Sequence, residues 1–486
     1  MKIIPIITFI IHSNIIFSQG EVFNKTYDND SNYEGAFAIL HNESLNQWIV
    51  GGTTSDLQGF SAVYVLKLNV HGDTVWTKIL DLTTEFEACY GSCFSNTGNY
   101  ILVGNTKDSL NLSTDIFVLE MDTAGNILWW NRYGGSGDES CQMIKLTADD
   151  GYILSGWTTT NTTGLEDAYI IKIDSIGNVL WEQQFGLNYS DLFYSVDFTA
   201  DGGYIFGGAT FSYGLHSRDL YLVKTNSIGQ MQWYKTYGTP NEDFGQVVIS
   251  TNDGGYAFCG NIETHFLIDK QGYFLKTDSL GTIQWDLVFG TDSVYEGFEA
   301  VSQLSDGNFI LIGNSGRNNV EGVVVKVNSL GDTMWSKNYR HNPIDINNQH
   351  YFYGLCSSPN KNGICGMTIE NTMPNKNNFW LVVIDSLGCD NTSCIINDIT
   401  EENIYTTKMM VYPNPAKNVI NLSMEELVNQ EIMLEFYDIE GRRIKSFSFV
   451  PESRQKQIDI SQFESGLYLL RLTNNSVSTT SKFIIK

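Results

Sequence analysis

Positive charge is scarce in this chain. Lysine and arginine together number 29 against 55 aspartates and glutamates, for a formal net charge of −26 over 486 residues. Nucleic-acid phosphate and anionic lipid surfaces would be repelled, so neither is an expected partner, and the acid surplus suits solubility outside a cell. Long apolar runs are absent after residue 18. None reaches the roughly 18 residues of a bilayer-spanning helix. Histidines are few and dispersed (His41, His71, His216, His265, His341 and His350 after the first 18 residues), and no Ser-His-Asp or Cys-His order stands out. The cysteines lack the two close pairs or Cys-His spacing of a zinc site, so no metal is expected to be their purpose.

The one apolar stretch lies at the start. Lys2 supplies a positive charge, Ile3 to Ile11 a short apolar core, and Phe17-Ser18-Gln19 a cleavage point, so residues 1–18 read as an export signal peptide. An exported chain can form disulfides. Cys356 with Cys365, on neighbouring strands, and Cys389 with Cys394, across a short loop, are the expected pairs. Cys89 and Cys93 lie four apart on one strand, on the same face but too far apart to bond easily. Cys141 and Cys259 read as small core residues.

What the chain has in abundance is one hairpin, written seven times. Its cleanest copy is DSIGNVLW, Asp174 to Trp181, with a glycine where a tight turn needs positive φ and a tryptophan on the return strand. The glycines are Gly72, Gly125, Gly177, Gly229, Gly281, Gly331 and Gly388, and the last copy lacks the tryptophan. A fixed period of this size means a propeller or a solenoid. Each unit reads as four strands, the second of them apolar on both faces, as between neighbouring blades. Before the first unit stands VFNKTY, Val22 to Tyr27, a fourth strand without its hairpin, and after the last copy no fourth strand follows. Pairing of Val22–Tyr27 with Phe379–Asp385 would remove both loose edges.

This consensus resembles the seven-bladed propeller repeats of exported bacterial proteins. The expected fold is all-β: a seven-bladed β-propeller over 19–388, a linker over 389–408 and a small β-sandwich over 409–486. In the last segment YPNPAKN, YDIEGRR, SGLYLLRL and the terminal KFIIK occur in order, as short strands between Pro-Asn and Glu-Gly turns. Together they resemble the C-terminal sorting domain of the type IX secretion system. That resemblance implies recognition by an outer-membrane translocon and its sorting machinery, removal of the domain, and attachment of the protein to surface lipopolysaccharide. It places the protein outside a Gram-negative cell or on its outer surface. Pro413, Asn414, Pro415, Gly441, Gly466, Lys482 and Lys486 are the residues assigned to the sorting signal.

Within the ring, residues repeated in every blade read as scaffold and residues present in one blade as candidates for function. An acid recurs before the first strand at Glu34, Glu87, Glu139, Asp191, Asp243 and Glu296, where it can cap loop backbone. Third-strand lysines (Lys67, Lys172, Lys224, Lys276, Lys326) recur likewise and are expected to pair with acids. The hairpin word resembles the Asp-box of sialidases but is longer at each step, and the ring's arginines are scattered, so sialidase chemistry is not expected. Asp28 to Glu34 (DNDSNYE) alternates oxygen ligands as a calcium loop does, without the glycine of a hand-type loop, and reads otherwise as a solvated turn. No other cofactor is expected.

The variable loops carry Trp157, Tyr213, His216, Arg218, His265 and Arg317, which suit a glycan or surface-protein ligand. A surface-displayed binding or adhesion protein, with no catalytic residue assigned, is the first reading. A polysaccharide hydrolase or lyase with carboxylates at the channel mouth is the second, and a scaffold for protein partners the third.

Overall fold

The computed structural model describes residues 22–29, 33–56, 58–83, 85–107, 113–162, 165–214, 217–265, 269–290, 294–317, 319–341, 348–359, 361–370, 376–390, 409–412, 416–424, 432–437, 443–450, 455–463, 465–473 and 478–485. The chain divides into two compact units, 1–394 and 395–486. The first contains seven four-stranded antiparallel sheets, the blades. Their first strands are Tyr33–Asn42, Phe86–Phe94, Glu139–Leu146, Asp191–Phe198, Phe244–Ser250, Glu296–Gln303 and Gln349–Ser358, which number blades 1 to 7. Blade 3 continues through Tyr152–Thr158 and Asp167–Ile173 to Val179–Phe185. First strands of successive blades are neighbours, and that of blade 7 packs back on blade 1. The array is therefore a closed ring with the first strands innermost. The signal segment 1–18 lies outside the described residues.

The repeated hairpin explains how neighbours interlock. Its seven glycines have φ between +74° and +93°, where a side chain would be strained. In blade 3 the Asp174 carboxylate accepts the N–H groups of Ile176 (3.0 Å) and Asn178 (2.8 Å), fixing the turn. The tryptophan four residues after each glycine covers the glycine of the next blade. A Cβ at Gly229 would lie 2.5 Å from the Trp181 ring, and one at Gly388 would lie 2.7 Å from the Trp335 ring. Three of these six junctions add a hydroxyl. Tyr133, Tyr237 and Tyr339 each donate from Oη to the carbonyl of the next hairpin glycine (Gly177, Gly281 and Gly388) at 2.7 Å.

The missing fourth strand of blade 7 is supplied from the other end of the chain. Phe23–Tyr27 pairs antiparallel with Lys376–Asp385, Phe23 opposite Val383 and Tyr27 opposite Phe379. Phe23 does the work of the absent tryptophan: its ring covers Gly72, and Tyr27 Oη donates to the Gly72 carbonyl at 2.7 Å. The apolar core is correspondingly divided into seven clusters, each between two consecutive blades. The cluster joining blades 7 and 1 combines Phe23, Phe379 and Leu381 with Trp48, Tyr64 and Leu66.

A second glycine column controls the innermost strand. Gly52, Gly104, Gly156, Gly208, Gly260, Gly313 and Gly366 lie in the second strands. A Cβ on any of them would fall between 1.7 and 2.0 Å from a first-strand carbonyl oxygen. At each of these places the first strand slips register, leaving an extra residue without a partner, as between Cys141 and Met143 opposite Gly156 and Ser155. These are β-bulges, possible because the opposing strand carries no side chain there.

Three expectations are corrected. Cys356 and Cys365 are free thiols. Cys365 stands opposite Gly354 and Cys356 opposite Gly363, so the two are diagonal across the pair, roughly 7–8 Å apart and beyond disulfide reach. Cys89 and Cys93 do not share a face, because the bulge at Tyr90 lies between them. Cys89 joins the core between blades 1 and 2, and Cys93 packs on that between blades 2 and 3. His265, read as a variable-loop residue, ends the second strand of blade 5, Tyr256–His265, opposite Asp269 at the start of the third, Asp269–Thr277. Cys389 is disulfide-bonded; Cys394 lies outside the described residues. Cys141 and Cys259 are buried and free.

The C-terminal unit is a two-sheet sandwich. Val419–Met424 pairs with Met409–Tyr412 and Gln455–Asp459 in one sheet, and the other runs Arg443–Phe449, Ile432–Tyr437, Gly466–Thr473, Ser478–Ile485. Ile420, Leu422 and Ile458 of the first meet Leu434, Phe436, Leu470 and Leu472 of the second.

Three outcomes follow from this packing. Gly156→Ala drives a methyl into the Ser140 carbonyl and should cost about 3 kcal/mol, read as a lower midpoint in chemical denaturation of the full chain. Phe23→Ala should cost about as much by opening a cavity in the closing junction. Deleting residues 22–27 should further produce concentration-dependent association in light scattering, because the third strand of blade 7 becomes a bare edge.

Candidate ligand site at the channel

The bulged residues of the inner strands are Phe37, Tyr90, Gln142, Tyr194, Gln246, Glu299 and Tyr353, with Val247 also unpaired in blade 5. All seven are half-buried, whereas the residue before each is buried. They face the axis of the ring. Phe37 of blade 1 shows this directly, since its ring touches the equivalent residues on both sides, Tyr90 at 5.4 Å and Tyr353 at 5.0 Å between centroids. Each lies three residues after the recurrent acid or, in blade 7, after His350, so the column is strictly periodic in position and irregular in chemistry. Sequence reasoning looked for unrepeated residues in the loops and missed this column. The fixed offset from the acids was the signal that could have found it.

One sector of the wall is aromatic around a carboxylate. Tyr351 stacks near Tyr353 at 6.2 Å. Burial raises the Tyr353 hydroxyl well above its ordinary range, and the charge of Glu299 adds to the effect. Burial likewise pushes Tyr295 up to about 12, again with Glu299 contributing. Glu299 itself is pushed up to about 7 by burial, against the opposing hydrogen bond from Asn314 Nδ2 at 3.4 Å. On another sector the Arg218 guanidinium lies between the rings of Phe211 (4.7 Å) and Phe244 (4.8 Å), and Phe244 touches the channel residue Tyr194 at 5.1 Å.

The recurrent acids serve the scaffold. Glu139 accepts the Gly135 N–H and the Thr158 hydroxyl, and Glu87 accepts the Thr83 N–H at 2.7 Å. Each holds the loop entering its blade. Burial pushes Glu87 up to about 7 and Asp243 up to about 6, in the latter case with a contribution from Asp219. In blade 7 the position is taken by His350, whose pKa is lowered to about 4 by burial and then by Arg340. The lysine column is structural as well. Lys172, Lys224 and Lys276 are buried and reach Asp149, Asp201 and Asp253 in the turns of their own blades at 2.8–2.9 Å.

Among the loop residues singled out from the sequence, Arg218 adjoins a channel residue. Tyr213 is stacked on Tyr221 at 5.3 Å and packed on Tyr234, within blade 4. Trp157 is half-buried in the second strand of blade 3, and Arg317 is exposed after the second strand of blade 6. His265 ends the second strand of blade 5. His216 lies outside the described residues. In the loop read as a calcium candidate, Asp28 pairs with Lys376 and Glu34 accepts the Asn29 N–H at 2.9 Å, while residues 30–32 lie outside the described residues. A cavity of about 280 Å³ sits at the other end of the inner strands, lined by Glu43, Asp306, Lys326 and Lys361. Its lysines are engaged, Lys326 with Asp306 at 3.6 Å and Lys361 with Asn46 at 2.6 Å.

Residues 410–486 match the family model described as a secretion system C-terminal sorting domain. The C-terminal unit is a sorting domain. The protein is thus secreted, or displayed on the surface of a Gram-negative cell, and its sorting domain interacts with the type IX secretion machinery. Of the sorting-signal residues, Gly466 opens the strand Gly466–Thr473, opposite Ile485, and Lys482 pairs through its backbone with Leu469. Pro413, Asn414, Pro415, Gly441 and Lys486 lie outside the described residues.

No curated protein sequence matches the chain. Similar solved structures include a PL25 polysaccharide lyase, an ulvan lyase, bound to -[GlcA(1-4)Rha3S]- (10% identity, 75% of this chain and 95% of that one, TM-score 0.49). They also include YCF48 bound to D1 peptide (11% identity, 75% and 96%, TM-score 0.44). A puromycin hydrolase is similar at 10% identity and TM-score 0.47 over 80% of this chain, which spans 58% of that enzyme. At such identities the likeness bears on the fold and carries nothing about ligand or activity.

The buried acids set a pH dependence. Glu87 and Asp243 hold a proton more tightly folded than unfolded, so unfolding releases it between their ordinary carboxylate values and pH 6–7. Their contribution to stability is therefore full below the ordinary carboxylate values and declines as pH rises through that window, by up to about 1.4 kcal/mol per pH unit for each group. Glu87→Gln should flatten the fall in denaturation midpoint between pH 5 and 7.5. An unchanged slope in the variant would show that this carboxyl is not the group responsible.

Proposed function

We propose that the protein is a binding or adhesion module displayed outside the cell, with its ligand site in the channel on the face that bears the variable loops. The observation that supports this most is the column of bulged residues: aromatics and amides around a rigid ring, varying between blades, with one carboxylate among them. Rings stack on the apolar faces of sugars and peptide side chains, and amides satisfy hydroxyl and peptide groups. A retaining glycosidase needs two carboxyls about 5 Å apart. The bulged column offers Glu299 alone, which favours binding over hydrolysis. Retention at the surface through lipopolysaccharide, following recognition of the sorting domain, completes the proposal.

The test is capture of the purified chain by a panel of immobilised polysaccharides and surface proteins, with product release assayed in the same wells. Retention without product, weakened at least about tenfold by Phe37→Ala or Tyr90→Ala, is the expected result. Product release that survives these substitutions would instead assign the ring a hydrolase or lyase activity.

A further inference from the structure

Resting on the reading of the channel as the ligand site, we propose that the sector shared by blades 6, 7 and 1 is an aromatic cage for the ammonium group of a lysine side chain on a partner polypeptide, with Glu299 as its counter-ion.

Glu299 lacks a neutralising partner among the described residues: no lysine, arginine or histidine forms an ion pair with it, and its carboxylate accepts one long hydrogen bond, 3.4 Å from Asn314 Nδ2. That amide is committed elsewhere. Asn314 Oδ1 accepts the Phe352 N–H at 2.8 Å and its Nδ2 donates to the Phe352 carbonyl at 3.3 Å, joining blade 6 to blade 7. The carboxylate is thus half-buried, hemmed in by protein, and short of donors, in a place where a charge without a partner is costly.

Its surroundings supply what an organic cation needs besides charge. Tyr353 is the equivalent of Glu299 in the adjacent blade, Tyr351 stacks beside it at 6.2 Å, and Tyr295 comes four residues before Glu299 in the chain. The Glu299 charge bears on the hydroxyls of both Tyr295 and Tyr353. Phe37 closes the side toward blade 1, 5.0 Å from Tyr353. Gly297 makes room for the Tyr295 hydroxyl, which would lie 3.1 Å from a Cβ there. Aromatic faces attract a cation, more strongly when it is desolvated, and a carboxylate behind them adds a charge-assisted hydrogen bond.

Reach selects the source of the cation. Glu299 lies three residues inside the strand from Glu296 at the rim, roughly 10 Å of extended chain, and Tyr33 and Tyr295 come just before the rim acids of their blades. A lysine carries its ammonium on a thin four-carbon stem that can lie along aromatic rings. An amino group fixed on a sugar ring has no such stem. The net charge of −26 draws cationic partners toward the ring.

The experiment is titration calorimetry of the full chain with an acetylated, amidated tetralysine peptide at pH 8 in moderate salt. Tetranorleucine made soluble with neutral glycol ends and a glucosamine oligomer serve as the other ligands. Tetralysine should bind, and the other two should not. Glu299→Gln should weaken binding at least about tenfold, Tyr353→Leu should weaken it severalfold, and Tyr353→Phe, which keeps the ring, should leave it near the original. Glu43→Gln, on the opposite face, removes the same charge and should change nothing, and binding should decline from pH 8 to pH 5.5 in the original protein but not in Glu299→Gln. Thermal unfolding of each variant reports whether it is folded. Equal loss in Glu299→Gln and Glu43→Gln would reduce the effect to bulk charge and overturn the cage, as would tighter binding of the glucosamine oligomer. If the panel still retains the chain while tetralysine fails to bind, the cage is wrong and the binding module stands. If nothing is retained, the module itself falls.

Discussion

The ring depends on the close approach of two strands in every blade. A glycine in the second strand lets a first-strand carbonyl come within 2.0 Å of where a Cβ would stand, and the first strand bulges opposite it. The bulge adds one residue to the innermost strand without adding one to its partner, and sharpens the local twist. Seven repetitions give seven equivalent inner strands whose flanking residues pack outward between blades while one residue per blade turns to the axis. Without the glycine the strand would pair in register, and that residue would be directed into a blade interface already filled by Phe193, Phe298 or Phe352.

Closure follows a different logic, in which the halves of a repeated word are matched across blades. Tryptophan and glycine belong to one hairpin in the sequence, yet each tryptophan covers the glycine of the following blade. A repeat of this kind always leaves one tryptophan place and one glycine unmatched when it is written in a line. The chain resolves this by giving its first strand a phenylalanine, Phe23, at the place where blade 1 still presents a bare Gly72. The ring has no terminal edge to protect, because the strand that would be the edge is the beginning of the chain.

The architecture was legible because its determinants are local and repeated. Gly177 with Trp181, the apolar second strands and the orphan strand Val22–Tyr27 all signal in short windows, and so do the sorting-domain motifs. Much of what was not legible depended on the bulge. Period-two alternation assigned Cys89 and Cys93 to one face, which holds for a regular strand and fails when Tyr90 is extruded between them. Cys356 is diagonal to Cys365 for a separate reason, the register that starts with Ser358 opposite Lys361 at the hairpin end. Site residues were sought in loops because loops usually vary, and so Trp157 and Tyr213 were named while Phe37, Glu299 and Tyr353 passed as strand residues. Arg218 was named with the variable loops, and its place between Phe211 and Phe244 is tertiary information that no spacing carries.

A bulged residue at the axis is relieved of structural duty. It has no cross-strand partner, it lies outside the apolar clusters that join the blades, and the glycine opposite permits the bulge whatever side chain is extruded. Phenylalanine, tyrosine, glutamine and glutamate all occupy the column with the same backbone pairing on either side. The positions that set the fold and those that can set the ligand are therefore interleaved three residues apart on one strand, yet energetically separate. The recurrent acid must hold the loop backbone, as Glu139 holds the Gly135 N–H, while the residue three places on is free to change. This separation lets a repeat with very uniform words carry a site of mixed chemistry, and it makes the column, rather than the loops, the first place to look for what such a ring binds.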